Sequence, residues 1–383
     1  MNKIKYGSII AIIIIIVIIF LLSHSFQVKD TSVQGTIKIG GMSALTGVGA
    51  AIGEEERKGA QLAVNEINTS GGIKGRKLEL VSEDVSLDKI KNAATVAEKL
   101  VNVDNVVAIV GPQWDEPAGP ILPIIEKAKV PTIGADNSDQ LEKDISYDYF
   151  FSTWYDPRVG VRELLRFSQS KGYKDIAIIR PLAAGFWEFT ADIFVNDAPK
   201  YGVNVIENID MGNPLSIDFR TSISKIKAKN PDAVFIVTSD YNQCAFVKQA
   251  KELGLSVPTL GTESSGDQVS LAECPQLLEN RYFSTPKQSD KYALFSGSFK
   301  STFGDIPKFP SAVTAYDAVY VIADALKKTG GNGGEALQKA IAETDRGGVA
   351  LSEIKFNQKG FLFTPEDSFE MKTTKNGAFV EIK

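Results

Sequence analysis

The chain has 383 residues, 43% hydrophobic and 23% charged, a composition that excludes a disordered or fibrous protein. That length exceeds what one compact core usually serves, so two domains are expected. The formal charge of -5 argues against a nucleic-acid partner, which would want a basic surface, and the one histidine, His24, leaves the rest of the chain without imidazole-dependent hydrolysis or histidine-ligated zinc.

In chain order, Lys3 and Lys5 precede an almost unbroken apolar run over residues 9–22, followed by Ser23, His24 and Ser25. This reads as a signal peptide or as a membrane anchor over residues 1–26, with a tether over 27–35. The lysines stay on the cytoplasmic side, which places the body outside. No cysteine follows the run to carry a lipid.

The body then alternates short β-rich runs with longer amphipathic ones. A strand is expected over 36–40 (TIKIG), entering the Gly-rich loop GGMSALTGVGAAIG. A helix follows, with Ala60, Ala63, Val64 and Ile67 on one face and Ser-Gly-Gly at its end. Next come a strand over 77–81, a helix over 93–101, the strand VVAIVG, a helix over 121–128 and the strand VPTIGA. A second set opens with a helix over 160–170 and the strand DIAIIR. Then follow a helix over 190–201, the strand VNVIEN, a helix over 219–228, the strand AVFIVTS and a helix over 243–253. Repeated strand–helix alternation gives βαβ units, so the fold class is α/β, with two doubly wound parallel-sheet lobes. Ligands of such sheets bind beyond the carboxyl ends of the strands, which directs attention to the loops there. Cys244 and Cys274 are either two separate buried thiols or one disulfide, which the expected compartment permits.

The stretch IKIGGMSALTGVGAAIGEEERKGAQLAVNEINTSGGIKGRKLELVSED, with VVAIVGP, VPTIGA, FFSTWYDPRVG, KQAKELGL, LGTE and AYDAVYVIADALKKTGGN, resembles the type 1 periplasmic binding proteins of the branched-chain amino acid group, which feed ABC importers. The resemblance runs from about residue 37 to the C-terminus. It implies two α/β lobes joined by a three-strand hinge, the first over 36–154 and 286–346, the second over 155–285 and 347–383. It also implies a small-molecule ligand buried by lobe closure, an ABC permease as partner, and no cofactor.

Relatives hold a ligand carboxylate at a helix N-terminus, where orphan N–H groups and the helix dipole favour an anion. In the matching loop, GPQWDEPAGP, Gln113, Trp114, Asp115 and Glu116 stand where relatives carry serines. Asp115 either lines the cleft or only caps the helix, and Trp114 offers a flat apolar surface to a ligand or serves as a rim aromatic. The second matching loop carries Ala135, Asp136 and Asn137, where Asp136 replaces a small residue. Phe186 or Trp187 stands for a cleft aromatic, and Ile52 matches a position that is often aromatic. Asp240 or Tyr241 follows AVFIVTS. Glu263, in LGTE, falls where relatives pair an acid with the ligand ammonium, since a buried cation needs charge-assisted hydrogen bonds. These acids point to an amino acid or a related polar or cationic solute. Two other readings remain: a ligand-sensing receptor domain of the same fold without transport, and an enzyme using Asp115 with Glu116 or Asp136, for which no nucleophile is at hand.

Overall fold

The computed structural model describes residues 35–47, 49–86, 90–136, 147–182, 185–212, 217–238, 242–266, 268–350 and 352–382. The expected signal or anchor and all but the last residue of the tether lie outside these, as do Asn137, Asp240 and Tyr241. Among the described residues, no helix is long and apolar enough to cross a membrane.

The first sheet has the order β2-β1-β3-β4-β5, made of β1 (Ile37–Ser43), β2 (Leu78–Asp84), β3 (Ile109–Val110), β4 (Thr132–Gly134) and β5 (Phe150–Ser152). Every pairing in it is parallel. Helices cover both faces, as a parallel sheet requires. On one side lie α1 (Ala50–Thr69) and, from much later in the chain, a helix over Ser311–Thr329; on the other lie α2 (Asn92–Asn102) and α3 (Asp115–Ala128). The Ser311–Thr329 helix is buried on nearly every face. It approaches α1 so closely that a Cβ on Gly59 would overlap the carbonyl of Ala312.

The second sheet is built on β6 (Asp175–Arg180), β7 (Asn204–Asp210), β8 (Ala233–Ile236), β9 (Thr259–Gly261) and β10 (Arg281–Pro286), again all parallel. The helices α4 (Pro157–Lys171) and α5 (Gly185–Asp197) cover one face, and α6 (Arg220–Lys229) and α7 (Gln243–Glu252) the other. Asp156 caps α4 by accepting the Arg158 N–H at 2.9 Å, Pro157 opens it, and Gly172 closes it at φ 74°. A short α8 (Gln268–Glu273) follows β9, and α9 (Tyr292–Phe303), α10 (Ser311–Thr329) and α11 (Glu335–Ala342) follow β10. Next come the short pair β11 (Asp345–Arg346) and β12 (Ile354–Lys355), and the chain ends in β13 (Phe369–Lys375) and β14 (Ala378–Glu381), which add antiparallel to the β10 edge.

The chain passes between the sheets three times. The first passage, 153–156, leaves β5, and the second, 287–291, leaves β10. Residues 354–362 stay with the first sheet, because Phe361 bridges to Ser152, so the third passage falls at 363–368, later than the boundary at 346/347 expected from the sequence. The three lie side by side: the Asp156 N–H donates to the Thr364 hydroxyl at 2.8 Å, and the Lys287 N–H to the Ser368 carbonyl at 2.8 Å. A buried carboxylate braces this region. Asp317 of α10 accepts the N–H groups of Val349 and Ala350 at 2.8–3.0 Å. The Ser289 hydroxyl, in the second passage, bonds the carbonyls of Gly348 and Val349.

Two helices begin earlier than their periodicity suggests. Expected at 121, α3 starts at Asp115, because Pro117 sits in the first turn, where no N–H is needed; the helix also runs through Pro120 and Pro123, both on its exposed face. Expected at 190, α5 starts at Gly185 and ends at Asp197, and Pro199 turns the remainder into a 3-10 segment.

Cys244 and Cys274 form a disulfide with Cα atoms 5.9 Å apart. It ties α7 to the residue after α8, so the segment it encloses includes the turn that starts at Glu263. Closing a loop of 30 residues is worth about 3–4 kcal/mol of unfolded-state entropy. Urea unfolding of the chain with and without reductant should show a stability loss of that size, read from midpoint and slope together, and an unchanged stability would contradict it.

Candidate ligand-binding site

Because the strands of each sheet run parallel, the loops after them cluster at one edge, and the two edges meet. Trp114 is the half-buried N-cap of α3, with extended backbone and no side-chain cap bond. Asp115, the first residue of α3, is buried. Its carboxylate lies against Gly185 at the start of α5, where a Cβ would overlap both oxygens. A first-sheet acid thus meets the N-terminus of a second-sheet helix, where a negative charge is favoured. Glu116 is more exposed than Asp115; desolvation of its carboxyl, with the adjacent Asp115 charge and hydrogen bond, raises its pKa to about 7. Ala135 and Asp136 are buried after β4, with the Ala135 N–H donating to the Pro112 carbonyl at 3.2 Å and the Asp136 N–H to the Ser152 hydroxyl at 3.1 Å. Ile52 lies half-buried in the first turns of α1.

The two aromatics of α5 separate in role. Phe186 turns toward the first-sheet core and meets Trp154 edge-on, ring centres 6.1 Å apart, while Trp187 packs into the second-sheet core. Trp154 in turn stacks on Tyr155 at 4.6 Å.

Glu263 opens a 3-10 turn directly after β9 and is 7% exposed. Burial raises its pKa to about 7, against the opposing pull of its own backbone N–H and of the side chains of Tyr155, Thr262 and Ser264. Among the described residues, its Oε1 has no hydrogen-bond partner. Glu263 lines a cavity of about 320 Å³ between the sheets. Thr153 and Tyr155 of the first passage, Phe283 and Thr285 of β10, and Phe309 before α10 share that lining.

The family model for periplasmic binding proteins matches residues 36–361. This chain belongs to that family. It is similar to a leucine-, isoleucine-, valine-, threonine- and alanine-binding protein of Pseudomonas aeruginosa, 28% identical over 86% of this chain and 89% of that one. It is also similar to the leucine-specific-binding protein of Salmonella typhimurium, 26% identical over 88% and 91%. Among solved structures, the branched-chain amino acid transporter substrate binding protein LivJ of Streptococcus pneumoniae, in complex with isoleucine, superposes with a TM-score of 0.78 at 26% identity, covering 91% of this chain and 99% of that one. A benzoate-bound solute binding protein of R. palustris, at 20% identity and TM-score 0.79 over 91% and 96%, shares the fold. The architecture is therefore the type 1 periplasmic binding protein fold.

In this periplasmic binding protein, sequence reasoning passed over Tyr155, Phe283 and Phe309. The first sits inside the quoted FFSTWYDPRVG stretch, directly before the helix-opening Asp156-Pro157 pair, and that position was its only signal. The other two lie in segments that carry no motif. The Asp115–Gly185 contact gives a test. In Gly185→Ala the added methyl overlaps the Asp115 carboxylate, and the backbone is already at φ 38°. The contact should weaken by about 1–3 kcal/mol, seen as a larger radius of gyration in solution scattering. A second change, Asp115→Ala, should restore the compact value, and a variant that scatters like wild type would show that the contact does not hold the two segments together.

Proposed function

We propose that this protein is the solute-binding component of an ABC importer, working outside the cytoplasm, and that it is not an enzyme. Residues 1–26 serve as its signal peptide or membrane anchor and 27–35 as its tether. One lobe comprises 36–154 with 286–362, extended beyond 346 because of the Phe361–Ser152 bridge; the other comprises 155–285 with 363–383. Closure of the lobes on a small solute is the working step. No cofactor takes part.

The observation that carries the ligand reading is Glu263: a buried carboxyl lining a cavity between the sheets, with one oxygen unsatisfied among the described residues. An uncompensated buried acid is costly, and a ligand ammonium or amidinium removes that cost by supplying charge and donors together. Trp114, Asp115, Ala135, Asp136 and Phe186 belong to the same inter-sheet edge and are proposed to line the cleft around it, with Asn137 and Asp240 proposed from their positions in the sequence. Trp187 is proposed as the support behind Phe186.

Calorimetric titration of the full chain with amines and amino acids tests this. Glu263→Ala should weaken binding of the cationic solute by about 2–5 kcal/mol. A cation needs the ionised carboxylate, so wild-type affinity should be full above pH 7 and fall roughly tenfold per pH unit below it, as the proton competes. The ligand-free protein should show the opposite trend. A carboxyl with its pKa raised from 4.5 to about 7 favours folding when protonated, and that advantage is lost as pH rises through this window. Glu263→Gln should therefore gain up to about 3 kcal/mol at pH 8. Binding that is insensitive to both variants and to pH would refute the assignment.

A further inference from the structure

The cavity beside Glu263 is larger than an ammonium needs, and its far walls are of another kind. Phe283 of β10 and Phe379 of β14 meet edge-on at 5.2 Å and form the second-sheet wall. Pro307, Phe309, Pro310 and Val313, at the entry to α10, form the facing wall. Antiparallel addition of β13 and β14 extends the sheet past β10, and the turn before α10 stands across from that extension. The result is a chamber opening from a single buried acid, with these apolar side chains on two walls and Gln268, Thr285, Gln288, Ser296 and Thr314 elsewhere in its lining. At about 320 Å³ it sits at the small end of ligand pockets, a size suited to one ring and a short linker.

The charges around the chamber are as informative as its walls. Among the described residues, Lys308 and Lys372 are the only cations lining it. Each is already paired, Lys308 with Asp305 at 2.9 Å and Lys372 with Glu370 at 2.9 Å. A ligand carboxylate would have to compete with an acid already in place at either one. Beyond the Trp154–Phe186 pair, Asp115 already presents its own carboxylate to the start of α5, and Asp136 is buried at the end of β4. A ligand carboxylate on that side would meet acids.

Resting on the Glu263 reading, we propose that the chamber is a subsite for an uncharged aromatic arm, so that this protein selects arylalkylamines without a carboxylate over α-amino acids. The ammonium takes the free oxygen of Glu263, and the ring lies between Phe283 and Phe379 on one side and Phe309 and Val313 on the other. Aromatic rings favour such edge and offset contacts.

The test is calorimetry on the full chain with four probes: ethylamine, 2-phenylethylamine, phenylalanine and leucine. Burying a phenyl ring should make 2-phenylethylamine bind at least about tenfold tighter than ethylamine, and tighter than either amino acid. Phe309→Ala and Phe379→Ala, from opposite walls, should each bring the affinity for 2-phenylethylamine down toward that for ethylamine measured in the same variant. The second variant lies on the C-terminal hairpin and is the safer one for folding. Equal affinity for the two amines, both lost in Glu263→Gln, would overturn the chamber subsite and leave the acid's role intact. Tighter binding of phenylalanine or leucine than of 2-phenylethylamine would overturn the exclusion of carboxylates. Failure of all four probes to bind would overturn the Glu263 reading, and the subsite with it.

Discussion

Strand polarity governs this molecule. In each sheet the parallel strands all end on the same side, so every loop that follows a strand is delivered to one edge. The three passages hold the two edges opposite each other. That is why Thr153 after β5, Glu263 after β9 and Thr285 at the end of β10 line a single cavity although they are far apart in sequence. It is also why Asp115, after β3, touches Gly185, after β6. The late hairpin breaks the rule: β13 and β14 run antiparallel at the sheet margin and contribute mid-strand side chains, Lys372 and Phe379, as wall rather than loop.

Two buried acids show how structural and binding carboxyls differ. Burial pushes Asp317 up to about 6, but two backbone N–H groups are aimed at it, and it holds residues 349 and 350 in place. Burial pushes Glu263 to about 7, and among the described residues one of its oxygens is left without a donor. An unsatisfied acid in a cavity is a weak choice for stability and a strong one for recognition. The first acid would be missed by folding if removed; the second would be missed by the ligand.

Much of the fold could be read from the sequence, because βαβ alternation is a local pattern. Strand β6 coincides with DIAIIR, and α2, α4, α6 and α7 lie within a few residues of their periodic runs. The misplaced start of α3 traces to Pro117, which reads as a breaker although it is tolerated in a first turn. The late return of residues 354–362 to the first sheet was not legible, since pairing over 200 residues of separation leaves no local mark; the C-terminal hairpin did leave one, the Asn376-Gly377 turn between β13 and β14, but its addition to the β10 edge is a long-range pairing without a local signal. At the site the same limit applies. Acids such as Asp115, Asp136 and Glu263 stand out in strand-end loops, and all three are buried there. Phe283 and Phe309 look like ordinary core residues until the third dimension places them beside Glu263.

The disulfide has a consequence for biogenesis. With two cysteines in the entire sequence, oxidation has a single intramolecular product, and no wrong pairing exists to be reshuffled. An oxidant alone suffices to complete the fold, without an isomerase. A chain that reaches an oxidising compartment unfolded can therefore acquire its crosslink in one step, with only dimerisation through the same two thiols as a competing outcome.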